Sequence, residues 1–256
     1  IAAVRKQVIE EAAVIGATLS MTYMSTDLQA QQYDALFIDE ISMAPLLPMF
    51  FAMGLVSSSC TLIGDFLQLP PIGTQSKNEL LKKWHNRSFF DIIGMNSVGK
   101  ARSSEFVKPL SIQYRMNPAI AAIPNKLFYG DILQSGDNTK TRVLSDQWVQ
   151  DQPLFLVDTS EGAPWMNRGP NGQSRCNLYH ATLAAAMAQD YLANETQDGK
   201  EITVGVVVPY RSQKDLINDI LDESLGKNSP ARKRIEVNTV HSFQGGEKDV
   251  IICDSV

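Results

Sequence analysis

Five short stretches of this chain carry residue types that can act on phosphates or on a nucleic-acid strand. In "FIDE", Asp39 and Glu40 stand side by side at the end of an apolar run. A carboxylate there suits Mg²⁺, a hard cation that takes oxygen ligands and keeps several waters, so Asp39 is the metal candidate. Glu40 is then placed to orient or deprotonate an attacking water, a role worth roughly 10²–10⁴-fold in rate. The plain alternative is an acidic pair that caps the next helix. In "GDFLQLPPIG", Pro70 and Pro71 fix the backbone, and Gln68 offers an amide that can both donate to a phosphate oxygen and accept from water. "SIQYRMNP" holds Tyr114, which could stack on a base, and Arg115. An arginine that reaches a terminal phosphate contributes ~10³–10⁵ in turnover; a core tyrosine beside a surface arginine is the alternative.

Two later stretches suit a polynucleotide and a phosphate. "VVVPYRSQ" ends an apolar run in Pro209, Tyr210 and Arg211. An aromatic ring and a cation at a strand end fit stacking and phosphate contact, or else simple strand-to-helix punctuation. "NTVHSFQGGEKD" sends Thr239 and His241 off a strand, then sets Gly245 and Gly246 before Glu247. The glycines permit close backbone approach to phosphate or ribose. Glu247 can accept from a ribose hydroxyl or join the outer shell of a metal.

Chemistry at strand ends needs strands. Short β-rich apolar runs alternate with helical patterns, the signature of parallel α/β units. Strands are expected at 13–19, 35–39, 61–65, 153–158, 202–208, 234–240 and 249–256. They run apolar without alternation, as strands covered on both faces do. Helices are expected at 46–56, 79–85, 178–193 and 212–225, with a short one at 117–123 capped by Asn117 and kinked or ended by Pro124. In parallel sheets, ligands gather outside the carboxyl ends of strands, where Asp39, Pro209 and Thr239 fall. The polar, turn-rich stretch at 94–108 marks a boundary, giving domains 1–107 and 108–256.

With 256 residues, 44% hydrophobic and 20% charged, the chain is of ordinary globular composition. The net charge of −5 argues against coating nucleic acid through a broad basic field, but leaves room for a narrow groove. Cys60, Cys176 and Cys253 form no metal-ligand pattern and no even disulfide set, which points to a reducing setting. No apolar stretch approaches the ~20 residues of a membrane span. The chain is expected to be cytoplasmic, or nuclear in a eukaryote, with no membrane partner.

In this order and spacing the five stretches resemble the superfamily 1 helicases of the nonsense-mediated-decay and replication-helicase group. Their signatures are an acidic strand end, G-D-x-x-Q-L-P-P, Q-Y-R-M-x-P, P-Y-x-x-Q and F-Q-G-x-E-K-D, and the likeness runs from about Ala13 to the last residue. The resemblance implies two incomplete RecA-like lobes of P-loop NTPase type, ATP and Mg²⁺ between them, and a single strand of nucleic acid, DNA slightly favoured over RNA. It assigns Asp39 to Mg²⁺, Glu40 to the attacking water, Gln68 to the γ-phosphate and Arg115 to the finger. Tyr114 falls near the nucleobase, Gly245 and Glu247 near phosphate or ribose. "IGATLS" is similar to the family's Thr-bearing strand end, which adds Thr18 to Pro209, Tyr210, Thr239 and His241 as strand contacts.

The departures are as informative. A phosphate-binding G-x-x-x-x-G-K-[ST] should precede "FIDE", and nothing between Ile1 and Asp39 fits it. The near match "GMNSVGKA" follows a helical pattern rather than a strand, and Ala101 lacks the hydroxyl Mg²⁺ needs. The start at Ile1 and the apolar ending are expected of a piece of a longer protein, with the P-loop upstream, a last arginine motif downstream and protein partners met through regions outside this chain. The piece alone is expected to be inactive in hydrolysis. Gly246 stands where many relatives carry arginine. A dinucleotide-dependent reductase is excluded because no G-x-G-x-x-G opens a helix. Two rivals stay open: a degenerate, non-hydrolysing nucleic-acid-binding switch, and a transfer- or recombination-type superfamily 1 helicase.

Overall fold

A computed structural model describes residues 2–73, 77–143, 152–162, 165–169, 172, 174–194 and 199–256. The chain divides into two compact units, Ile1–Ser111 with Pro124–Leu133, and Ile112–Ile123 with Gln134–Val256. Residues 124–133 thus pack with the earlier part of the chain.

In the first unit, helices α1 (Ala2–Glu11), α2 (Leu19–Met24) and α3 (Thr26–Gln29) precede β1 (Tyr33–Ile38), α4 (Leu46–Met53) and β2 (Val56–Leu62). The two strands pair in parallel, with Ile38 opposite Leu62. Ile38, Ile41, Ala44, Met49 and Ala52 form the core, and Leu19, Leu36, Leu62, Phe89 and Phe90 pack onto it. The short helices that follow are started by side chains accepting otherwise orphaned backbone N–H groups. Asn78 caps α5 (Glu79–His85), a Ser88–Asp91 capping box opens α6 (Phe89–Ile92), and Ser97 caps α7 (Val98–Ser103). The "GMNSVGKA" stretch therefore leads from α6 into α7 with no strand before it.

The second unit holds β3 (Ile112–Gln113) paired in parallel with β4 (Gln134–Ser135), and the start of α8 (Pro118–Pro124). Pro124 ends α8, and the chain continues as a π turn, Asn125–Tyr129, closed by Gly130 at φ 60°. Next come an antiparallel hairpin of β5 (Asn167–Arg168) and β6 (Arg175–Cys176), then α9 (Leu178–Tyr191), β7 (Val204–Val208), α10 (Arg211–Leu225), α11 (Pro230–Lys233), β8 (Ile235–Thr239), α12 (Val240–Phe243) and β9 (Val250–Cys253). The main sheet runs β8-β7-β9, all parallel. Val204, Val206 and Val208 of the central strand are fully buried, and burial of each stabilises the fold by about 1.5–3 kcal/mol. Ala181, Ala184, Ala185 and Ala188 bring α9 close to the sheet, while Ile217 and Leu221 of α10 complete the core.

Two expected strands are corrected. Residues 13–19 and 153–158 join no ladder among the described residues. Their β-rich composition favours an extended chain, but a strand exists only where a neighbour completes its hydrogen bonds. Val14 and Leu156 stand 89% and 90% exposed, respectively.

Candidate functional site

The first unit sets its acids where two parallel strands end together. The ladder continues past β1 and β2, with Ile63 N–H donating to the Ile38 carbonyl at 2.8 Å and Ile41 N–H to the Ile63 carbonyl at 3.0 Å. Asp39 and Glu40 thereby lie beside Gly64 and Asp65. Gly64 is needed there, because a Cβ would stand 2.8 Å from Ile41 Cγ1. Both acids are exposed, and Glu40 N–H donates to Asp39 Oδ1 at 2.8 Å. Glu40 adopts φ 53°, a left-handed conformation that a side-chain-bearing residue holds at a cost of about 1–3 kcal/mol and that clusters at functional sites.

Asp65 organises the loop that carries Gln68. Its carboxylate accepts from Leu67 N–H at 2.9 Å, from Gln68 Nε2 at 3.2 Å and from the Tyr129 hydroxyl at 2.5 Å. Pro70 and Pro71 stiffen the end of the loop, while Asp65 makes the direct bonds to Leu67 and Gln68. Burial, and then the Asp65 carboxylate, push the Tyr129 phenol well above its ordinary range, so it stays a donor. Neither Asp65 nor Tyr129 was foreseen. "GD" before the glutamine was visible, but the tyrosine lies 64 residues away.

In the second unit, motifs far apart in sequence meet. Arg115 Nε donates to Glu247 Oε2 at 3.2 Å across 132 residues of chain. Arg142 Nη1 lies 3.6 Å from Glu247 Oε1 and donates to the Arg115 carbonyl at 2.6 Å. One carboxylate thus sits between two guanidiniums. All three side chains are well exposed, so each pair is worth only about 0–1 kcal/mol and is readily exchanged. Gln113 folds the loop below Arg115: its Oε1 accepts from the N–H groups of Arg115 and Met116, at 3.0 and 2.8 Å, and its Nε2 donates to the Met116 carbonyl at 2.8 Å. Tyr114 is exposed and lies against Gly136, where a Cβ would come within 2.4 Å of its ring. Gly245 takes φ 80°, which favours glycine. Gly246 differs from expectation, since its N–H donates to the Phe243 carbonyl at 3.1 Å instead of facing outward.

The expected strand contacts in this unit share the carboxyl end of the sheet. Val208 is opposite Thr239, so Pro209 and Tyr210 leave β7 beside the point where Thr239 and His241 leave β8. Pro209 and His241 are exposed, Tyr210 and Thr239 half-buried. Thr239 Oγ1 lies 3.3 Å from Ser242 Oγ. Thr18, in the first unit, caps α2 by accepting from Met21 N–H at 3.4 Å. Among the described residues no group of three His, Cys, Asp or Glu side chains could cage a metal. Magnesium needs only one or two carboxylates beside phosphate and water. Asp39, exposed at a strand end with Oδ2 outside its bond to Glu40, fits that share.

Comparison with known proteins gives the family. Family models described as AAA domain match residues 1–76 and 86–256. Helicase sen1 of Schizosaccharomyces pombe is 30% identical over 98% of this chain and 14% of its own length. ATP-dependent helicase upf1 of the same yeast is 26% identical over 100% of the chain and 26% of its own length. The DNA replication ATP-dependent helicase/nuclease dna2, again from that yeast, is 27% identical over 88% of the chain and 16% of its own length. The chain therefore spans between 14% and 26% of these relatives. It belongs to the AAA-domain family, as a partial core of the superfamily 1, UPF1-like (DNA2/NAM7-type) helicases. Its mixed α/β build, with short parallel sheets and flanking helices, is that of P-loop NTPase domains. Among the described residues no helix is long and apolar enough to cross a membrane.

Proposed function

We propose that this chain is part of an ATP-dependent helicase or translocase that couples ATP hydrolysis to movement along a single strand of nucleic acid. Residues 1–107 belong to a first RecA-like lobe and 108–256 to a second. The observation that carries the reading is the meeting of Arg115 with Glu247 at 3.2 Å, which joins two motifs singled out separately in the sequence. Bound ATP with Mg²⁺ supplies the phosphoryl chemistry. Asp39 offers a carboxylate oxygen to the ion, Glu40 holds and deprotonates the attacking water, and Gln68 reads the terminal phosphate. Arg115 leaves Glu247 to neutralise charge on that phosphate, Tyr114 lies along the base, and Gly245 and Glu247 border phosphate or ribose. Thr18, Pro209, Tyr210, Thr239 and His241 contact the strand. DNA is slightly favoured over RNA, and the compartment is the cytoplasm or a nucleus. Without a phosphate-binding lysine among its own residues, the 256-residue chain by itself does not hydrolyse ATP.

The test is Glu40→Gln in the full-length protein. Turnover should fall by roughly 10²–10⁴-fold, while binding of a fluorescent ATP analogue stays within a few-fold of wild type. Unchanged hydrolysis would remove Glu40 from the mechanism.

A further inference from the structure

We propose that the β5–β6 hairpin is a second contact for the nucleic-acid strand: Arg168, Arg175 and Arg211 hold its phosphates, and Trp165 offers a face to a base. The inference rests on the assignment of Tyr210 to the strand and extends it to an element outside all five motifs. Arg168 and Arg175 are direct partners across the hairpin, and both are exposed. Like charges placed opposite each other on a strand pair are destabilising. Neither has a compensating carboxylate, because no ion pair among the described residues involves Arg168, Arg175 or Arg211. A polyanion laid along the hairpin would relieve the repulsion that the fold leaves in place.

The hairpin is also fixed against the end of the sheet already assigned to the strand. Ser174 Oγ accepts from Ser212 N–H at 2.9 Å, in the first turn of α10. Gly169 N–H donates to the Ser174 carbonyl at 2.7 Å. Gly169 is buried so tightly that a Cβ would stand 2.1 Å from Ser212 Oγ. These bonds dock the hairpin without using either arginine. The Arg175 guanidinium then lies 5.8 Å from the centre of the Tyr210 ring, a cation–π distance that places a cation next to the proposed stacking residue. Arg211 follows Tyr210 and is exposed. Trp165, two residues before the hairpin, is 73% exposed.

The acids nearby do not cancel this charge. Asp254, at the end of β9, is buried and its oxygens accept from Gln213 Nε2 at 2.6 Å and Val256 N–H at 2.9 Å, with His180 Nδ1 at 3.0 Å. Asp215, one turn beyond Arg211, makes no ion pair with it. Cations interleaved with aromatic rings are what a single strand needs, since phosphate contact and stacking tolerate any sequence. In a chain of net charge −5, the cluster is a local basic patch rather than a basic coat.

The experiment measures binding of full-length protein to labelled single strands of about 12 nucleotides, DNA and RNA in separate arms, across a range of salt. Arg168→Gln, Arg175→Gln and the double variant are compared with wild type and with Tyr210→Ala. The double variant should bind at least about 10-fold more weakly, and its slope of log affinity against log salt should drop by ~0.7 per arginine. ATP-analogue binding and melting temperature should not fall. A loss in one arm alone names the sugar the hairpin meets. Wild-type affinity and slope in the double variant would overturn the hairpin contact, and a loss for Tyr210→Ala would leave the sheet-end reading intact. A wild-type protein that binds neither strand would overturn both.

Discussion

Glu247 is where two guanidiniums, those of Arg115 and Arg142, compete. For Arg115 to reach a phosphate it must leave the carboxylate, and Arg142 is placed to keep that carboxylate neutralised when it does. Arg142 also holds the Arg115 carbonyl at 2.6 Å, so it positions the loop as well as the charge. Arg142→Ala should lower kcat for ATP about 10-fold, equivalent to ~1.4 kcal/mol, with KM little changed, because Glu247 then grips Arg115 alone. Arg142→Lys should restore only part of the loss, since a single ammonium cannot reproduce the guanidinium fork. Steady-state kinetics on the full-length protein decide it; full activity in the alanine variant would take Arg142 out of the site. Sequence reading reached Arg115 and Glu247 because each stands in a dense motif. It could not reach Arg142, which sits in no recognisable pattern and acts across 27 residues to the Arg115 carbonyl. The same holds for Gln113, whose role lies in four hydrogen bonds rather than in its neighbours in sequence.

Elements were legible where burial is two-sided. β7 read as a continuous apolar run because helices and a strand on either side cover it, and α9 and α10 showed their periodicity beside it. Residues 13–19 and 153–158 have the same composition and no ladder among the described residues, so composition alone could not tell the two cases apart. The π turn at Asn125–Tyr129 was out of reach for another reason. Proline at 124 predicts a stop, not the wider turn that brings the Tyr129 hydroxyl to Asp65. Deleting that hydroxyl leaves the Asp65 carboxylate short of a donor, and a hydrogen bond to a charged group contributes about 1.5–3 kcal/mol. Tyr129→Phe should lose stability of that order in urea denaturation at neutral pH. The folded-state pKa is raised above the ordinary 10.0, so this contribution is complete below pH 10.0 and declines as pH climbs toward the higher folded value. The gap between wild type and Tyr129→Phe should therefore be flat through neutrality and narrow in strong alkali. Equal stabilities at pH 7 would remove the bond from the account.

At the scale of the whole chain, the two units differ in how much of their structure is sealed. The second has a three-stranded sheet whose central strand is buried at Val204, Val206 and Val208. The first rests on two strands, with β2 exposed along most of its length and Phe37 of β1 70% exposed. Two-stranded sheets are marginal on their own, and local opening is easiest where few apolar contacts close over the backbone. The amides of 204–208 should thus exchange hydrogen on the order of 100-fold more slowly than those of 33–38, a difference of ~2.7 kcal/mol in opening free energy. In denaturant the first unit should melt before the second. Hydrogen-exchange mass spectrometry on the 256-residue chain measures it directly. Matching protection in both segments, together with a single unfolding transition, would mean that the units melt as one body and that the contrast in burial has no energetic consequence.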